Sequence, residues 1–364
     1  MRNNKVITYD DNGKNIYISD EDKLNSLYIN TLPSDTLIIK IINSFHPSFI
    51  KFINILELVN VIQEYVKHYG EFRNVLIDFN EITVNPNGVQ ELENLINKPC
   101  YYMNFDIDVF SNEKHITYPH SMYTHLNYLI EDDFLNAQTF LKNTILNYKR
   151  VLKPHKFVFF SNNINIVRIN IFNLLKETNN LNDNIWSFNT KEQYYSNYGV
   201  DLPLFLKNNE ELIPHSYDKF YDLNTDLSNL KVSFLPNYLS YFEILTDSFY
   251  FTQIIDIKNH TPCTEKIFKP IIGYQPFIVF ASPKLKSTLE KIGMTFNSNL
   301  YGFYDITSSS SIKLGLTQIN EQINKTKEEL HKEYFENIEE YFNNCDVFLN
   351  FLLTNKQNMI TKLS

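Results

Sequence analysis

The densest run of chemically capable residues in this 364-residue chain is His260 to Phe280, HTPCTEKIFKPIIGYQPFIVF. Thr264 is a good N-cap, and the helix it would open begins with Glu265 and Lys266, with Lys269 one turn further on. The glutamate suits the positive end of the helix dipole. The two lysines do not, unless an anion lies at the helix start and is held jointly by the unpaired N–H groups and the ammonium groups. A diphosphate is the natural candidate, and Glu265 would then accept the two hydroxyls of a ribose. The same run also reads more plainly as a capped surface helix with an ordinary Glu and Lys mixture.

A second set of candidates lies in the first half. Asp78 and Glu81 adjoin the strand-like NVLIDF, and Asp106 and Asp108 follow YYMNF. Carboxylates near the carboxyl ends of parallel strands are placed to deprotonate an acceptor hydroxyl, although each also reads as a turn or cap residue. His115, His120 and His125 recur every five residues rather than every four, so they do not share a helical face and no metal site is expected. His120, after Tyr118 and Pro119, is a candidate for lining an acceptor cleft, with a structural histidine as its plainer reading. Asp106-Ile107-Asp108 fits the D-x-D pattern of a metal–nucleotide clamp literally, but it lies far from the Glu-Lys block. No H-E-x-x-H, G-x-S-x-G or G-x-x-x-x-G-K-[ST] motif is present, which disfavours zinc proteases, serine hydrolases and phosphate-loop NTPases. With only 8 glycines, the chain has no Gly-rich phosphate loop, so a diphosphate must be held by side chains and a helix end.

Composition narrows the partners. The chain is 43% hydrophobic and 21% charged, enough apolar material for a full core, and its formal net charge is −9. Residues 1–150 carry 13 basic against 19 acidic side chains, which argues mildly against a duplex-DNA surface. Cys100, Cys263 and Cys345 are widely spaced, as expected for a reducing compartment rather than a disulfide framework or structural zinc site. No signal-peptide run or membrane-length apolar stretch is evident, so a soluble, cytoplasmic protein is expected. The bias toward Asn, Ile, Lys, Tyr and Phe suggests an AT-rich genome.

The elements that must position these residues follow from periodicity. TLIIKII (36–42), NVLIDF (74–79) and YYMNF (101–105) read as buried strands, with helices over 47–69 and 89–96 between them. A polar helix over 132–150 precedes the Pro-containing turn LKPHKF, after which FVFFS (157–161), a helix over 164–177, YFEILT (241–246), a helix from Thr264, PFIVF (276–280) and a helix over 284–292 resume the alternation. Ile319, Ile323, Leu330, Tyr334, Ile338, Tyr341 and Phe348 mark one face of a single long terminal helix over about 313–353. Strand and helix in alternation predict parallel sheets covered by helices.

Several of these blocks, taken in order, carry a resemblance. FVFFSNNINIVRINIFNLLKE, TEKIFKPIIGYQPFIVF, SPKLKSTLEKIGMTF and GFYD are similar to the donor-nucleotide half of viral and phage glycosyltransferases distantly related to the α1,3-fucosyltransferases. The resemblance covers about 160 residues, with Met294 standing where the family usually has Phe and with a longer stretch between Arg168 and Glu265. It implies a GT-B type α/β fold, two Rossmann-like domains facing a cleft. Residues 1–150 would bind the acceptor, 151–312 the nucleotide sugar, and a C-terminal helix within 313–364 would pack across the hinge. It places Ser161 and Asn162 on a turn, Arg168 and Lys266 on the diphosphate, Glu265 on the ribose, and Asp247 in the place of an acidic residue ending a strand. Arg168 has a second reading as an arginine that simply snorkels to solvent.

The implied reaction is sugar transfer with inversion, without a metal or any cofactor beyond the nucleotide sugar, whether UDP- or GDP-linked. The leaving group would be neutralised by Arg168, Lys266 and the helix end. The acceptor would be a glycan or small molecule. A hydroxymethylated DNA base is the alternative, and a non-catalytic carbohydrate-binding protein a further one; if the chain is viral, its location would be the host cytoplasm.

Overall fold

In the computed structural model the described residues are 5–10, 15–20, 32–42, 55–78, 86–104, 113–117, 134–161, 165–188, 237, 239–246 and 265–364. The fold is mixed α/β with two mostly parallel sheets. The chain divides into two compact units. The first comprises Met1–Asn127, Ile254–Thr264 and Leu349–Ser364, and the second Tyr128–Gln253 and Glu265–Phe348.

The first unit is built on a six-stranded sheet. Its strands are β1 (Lys5–Asp10), β2 (Asn15–Asp20), β3 (Thr36–Ile42), β4 (Asn74–Asp78), β5 (Cys100–Asn104) and β6 (His115–Thr117), in the order β2-β1-β3-β4-β5-β6. Only β2 is antiparallel, paired with β1 as a hairpin; every other neighbouring pair is parallel. Helices α1 (Ile55–Tyr69) and α2 (Pro86–Ile96) connect β3 to β4 and β4 to β5. Side chains alternate across a strand, so Ile7, Tyr9, Ile39, Ile41, Val75, Ile77, Cys100 and Tyr102 share one face and pack with Leu58, Ile62, Val89 and Leu92 of the helices. Val6, Ile38, Leu76 and Met103 are buried from the other face. A sheet buried from both sides explains why NVLID is an unbroken apolar run up to its aspartate.

The second unit holds α3 (Phe134–Asn147), β7 (His155–Ser161), α4 (Ile166–Glu177), β8 (Ile185–Phe188), β9 (Ser240–Thr246), α5 (Glu265–Ile272), β10 (Phe277–Ala281), α6 (Leu285–Lys291), β11 (Gly302–Asp305), α7 (Ser309–Asn324) and α8 (Lys327–Glu336). Its five strands are all parallel and ordered β11-β10-β9-β7-β8. The last helix, α9 (Ile338–Leu363), begins in the second unit and ends in the first. No helix among the described residues is long and apolar enough to cross a membrane.

The single terminal helix expected over 313–353 is three helices instead, α7, α8 and α9. The first break is a capping box. Thr326 accepts from the Glu329 N–H at 3.1 Å, and the Glu329 carboxylate accepts from the Thr326 N–H at 2.7 Å. These reciprocal bonds satisfy two N–H groups that a continuous helix would satisfy through its own carbonyls. The second break is at Asn337, whose N–H donates to Tyr334 O. The apolar face survives both breaks: Ile319, Ile323, Leu330, Tyr334, Ile338, Tyr341 and Phe348 are all buried.

One close approach in this unit is testable. Gly315 of α7 lies against the ring of Phe280 in β10, where an added Cβ would stand 2.5 Å from Phe280 Cε1 and 2.7 Å from Tyr304 Cδ2. Replacing glycine by alanine inside a helix ordinarily gains about 1 kcal/mol. Here neither ring is a flexible chain end, so overpacking costing roughly 1–3 kcal/mol outweighs that gain. Gly315→Ala is expected to lower the unfolding midpoint by several degrees; a midpoint equal to or above wild type would show that α7 can move away from β10.

Candidate functional site

The strand order of the second sheet identifies where a ligand would bind. From β7 the chain moves to β8 on one side, then returns to place β9 on the other side of β7, and continues outward through β10 and β11. The crossovers therefore reverse between β7 and β9. In open α/β sheets the loops after two such strands diverge, leaving a crevice beyond their carboxyl ends.

The last residues of these strands are Ser161 and Thr246, both buried. The helix that follows β7 starts with Asn165 as N-cap, its side-chain oxygen accepting from the Arg168 N–H at 2.9 Å. That cap sets the first turn of α4 and so fixes where the Arg168 side chain leaves the helix. Arg168 is 1% exposed, so it does not snorkel. Its guanidinium crosses to β9, with Nε donating to Thr246 Oγ1 and Nη2 donating to the Thr246 carbonyl at 3.1 Å. A permanent cation is thus buried at the reversal of the crossovers, clamped to the end of β9.

The helix from the expected Glu-Lys block reaches the same end of the sheet. Because β9 and β10 are parallel and α5 connects them, α5 starts at the carboxyl end and returns to the amino end. Its first residues are Glu265 and Lys266, and Lys266 is partly buried. Lys269, one turn down, is close enough to Glu243 in the middle of β9 to lower its pKa. Lys269 therefore counters an internal carboxylate in addition to any part it has in ligand binding. Pro270, the sixth residue of α5, has no N–H to contribute to the helix ladder.

At the opposite, amino end of the sheet lies a polar cluster that the sequence did not announce. Asn237 Nδ2 donates to Glu243 Oε2 at 2.7 Å and also to Gln275 Oε1, while Gln275 Nε2 donates to Ser240 Oγ at 2.7 Å. Burial pushes the Glu243 carboxyl up to about 7, against the Asn237 hydrogen bond and Lys269, which act the other way. Lys153, fully buried, reaches the same end of the sheet, donating Nζ to Ser240 O at 2.7 Å and standing 4.0 Å from the ring centre of Tyr334. Burial pulls its ammonium down to about 7. Among the described residues no group of three His, Cys, Asp or Glu side chains is arranged to hold a metal ion.

Of the residues singled out from sequence, Ser161, Arg168, Glu265 and Lys266 are therefore brought to one end of one sheet, with only the backbone of Glu265 described. Asp78 ends β4 in the first unit and is buried. Glu81, Asp106, Asp108, His120, His125, Asn162, Asp247 and Thr264 lie outside the described residues. His115 is a buried residue of β6 whose ring stands 5.3 Å from that of Tyr102. Sequence reasoning missed Thr246, the partner of Arg168, because a threonine at a strand end carries no signal of its own. No protein-family model matches the chain, and a comparison with characterised proteins returns no match.

Proposed function

We propose that the chain is a glycosyltransferase of the GT-B class that uses a nucleotide-diphosphate sugar, with the donor held at the carboxyl end of the second sheet. The observation that carries this reading is the burial of Arg168 where the crossovers reverse between β7 and β9. A guanidinium clamped to the end of β9 before substrate arrives supports this reading, because an open α/β sheet receives a phosphorylated ligand beyond the carboxyl ends of the strands where its crossovers reverse. Lys266 and the N–H groups that open α5 add positive character from a second element.

The chemistry such a site would supply is stabilisation of a leaving group. As the bond from the sugar carbon to the diphosphate breaks, negative charge builds on the diphosphate. Cations and N–H dipoles already in place offset that charge without reorganising. Arg168 cannot lose its proton, so it stays cationic throughout the working pH range. Inversion at the sugar carbon and independence from a metal belong to this proposal. Among the carboxylates expected to deprotonate the acceptor hydroxyl, Asp78 is the one the described residues include.

The test is a thermal-shift series with UDP, GDP, CMP and ADP on the full chain. One nucleotide is expected to raise the midpoint clearly, and Lys266→Ala to remove that rise while leaving the ligand-free midpoint within about a degree or two, because Lys266 is partly exposed. No shift with any nucleotide would sink the transferase reading.

A further inference from the structure

The stretch 148–154, which joins α3 to β7, is fastened to α8 and β9 through its backbone. The Lys327 ammonium of α8 donates to the Pro154 carbonyl at 2.5 Å. The His331 ring, also on α8, places Nε2 3.1 Å from the Lys149 carbonyl and Nδ1 3.2 Å from the Tyr241 hydroxyl of β9. That hydroxyl in turn accepts from the Lys153 N–H at 2.8 Å. Lys149, Arg150, Val151, Leu152 and Pro154 are exposed and Lys153 is buried, so little of the stretch is held by packing.

The partners fix the state of the ring. A carbonyl only accepts, so Nε2 carries the hydrogen and donates to it. In the neutral imidazole Nδ1 is then the acceptor, and the Tyr241 hydroxyl donates to it. Burial pushes the Tyr241 hydroxyl up to about 12, so that proton stays available. The result is a directed chain: Lys153 N–H to the Tyr241 oxygen, Tyr241 O–H to His331 Nδ1, and His331 Nε2–H to the Lys149 carbonyl. It is complete in one protonation state only.

Adding a proton to Nδ1 reverses one link. The ring becomes a donor on both sides, the Tyr241 oxygen must accept from two N–H groups, and its own hydrogen loses its acceptor. Charge acts in the same direction. The Lys153 ammonium stands 5.7 Å from the centre of the Tyr241 ring and the imidazole 5.9 Å from it. Burial pulls Lys153 down to about 7, so it gains its charge over the same range and the two cations oppose each other. Lys149 and Lys327 add positive charge, whereas Glu328, within electrostatic reach of Tyr241, favours the protonated ring. Tyr334 against Tyr241 and Phe335 against His331 contribute no charge.

We infer that His331 is the sensing element of a pH-dependent clasp: as a neutral ring it pins the stretch 148–154 to α8 and β9, and on protonation it releases the Tyr241 link. Imidazole is the side chain whose charge ordinarily changes between pH 5 and 8, so the clasp is closed at pH 8 and open at pH 5. It lies wholly within the second unit and does not rest on the transferase reading.

Amide hydrogen exchange on the full chain tests the clasp, with rates over residues 148–155 normalised to the intrinsic rate at each pH. The Lys153 amide of the wild type is expected to lose about tenfold in protection between pH 8 and pH 5. His331→Gln can donate to the Lys149 carbonyl and accept from Tyr241 without titrating, so it is expected to keep at pH 5 the protection it has at pH 8. His331→Leu and Tyr241→Phe are expected to show the low value at both. Undiminished wild-type protection at pH 5 overturns the inference, and so does a full fall in His331→Gln, which would assign the effect to Lys153. Long-range proton–nitrogen NMR of the wild type gives a second readout, the His331 signal being identified by its loss in the variants. At pH 8 Nδ1 is expected to carry no hydrogen; a hydrogen there contradicts the chain.

Discussion

Arg168→Met is expected to lower the unfolding midpoint by roughly 6–12 °C and to abolish nucleotide-induced stabilisation. The methionine retains much of the apolar stem but leaves Thr246 Oγ1 and the Thr246 carbonyl without the guanidinium that donates to both. Charge-assisted hydrogen bonds contribute about 1.5–3 kcal/mol each, and buried acceptors left unpaired add to the loss. A net loss of about 3 kcal/mol in a unit of about 200 residues corresponds to that shift in midpoint. Arg168→Lys is expected to fall between the two proteins, since an ammonium keeps the charge but cannot reach both acceptors with a planar fork. Differential scanning calorimetry with and without nucleotide reads both effects. A wild-type midpoint for Arg168→Met would mean that the clamp on β9 contributes nothing to the fold.

The second large effect concerns pH. Glu243 has its folded pKa raised to about 7, so it contributes stability that is fully present below about pH 4.5 and lost as pH rises to about 7. Lys153 has its folded pKa lowered to about 7, so its contribution is present above about pH 10.5 and lost as pH falls to about 7. Together the two groups carve a trough near neutrality. At about 1.4 kcal/mol per pKa unit, the Glu243 limb amounts to about 3 kcal/mol and the Lys153 limb to several. Tyr334, 4.0 Å from the ammonium, and the Ser240 carbonyl favour its charged form and make the Lys153 limb shallower.

Urea unfolding at pH 5, 7 and 9 isolates these limbs from the other titrating groups by comparison with variants. Glu243→Gln keeps an oxygen for Asn237 and is expected to match wild type near pH 5 but exceed it at pH 7 and above. Lys153→Met should lack the rise from pH 7 to 9. Parallel pH profiles for all three proteins would show that neither buried group titrates differently in the folded and unfolded chain.

How much of this was readable beforehand depended on where each residue gets its partners. The buried strands β3, β4, β7, β9 and β10 announced themselves as apolar runs, because parallel strands covered on both faces need nothing else. The hairpin of β1 and β2 did not: KVITYD and NIYISD mix polar and apolar residues, and only β2 is the sheet's edge, where Tyr17 is 43% exposed. With three and four residues, β6 and β8 are too short for periodicity to register. The break at Thr326 was legible in principle, since T-K-E-E is the capping-box pattern, but a continuous apolar stripe outweighed it.

Site residues follow the same rule. Lys266 and Arg168 were visible because a cation is conspicuous in a helix's first turn or on its apolar face. Glu243 and Lys153 were not, since their partners Asn237, Gln275, Ser240 and Tyr334 come from scattered positions.

The route of the final helix also sets an order of events during synthesis. The first unit includes Leu349–Ser364, where Leu352, Met359 and Leu363 are buried and the carbonyls of Leu363 and Ser364 accept from Asn74 and Arg73. Those residues leave the ribosome more than 200 residues after Asn127. At roughly 5–20 residues per second, the sheet made first waits about 10–50 s for its last piece. The first unit is therefore completed only after Leu349–Ser364 have emerged, and a fragment ending before residue 349 would lack that piece of it.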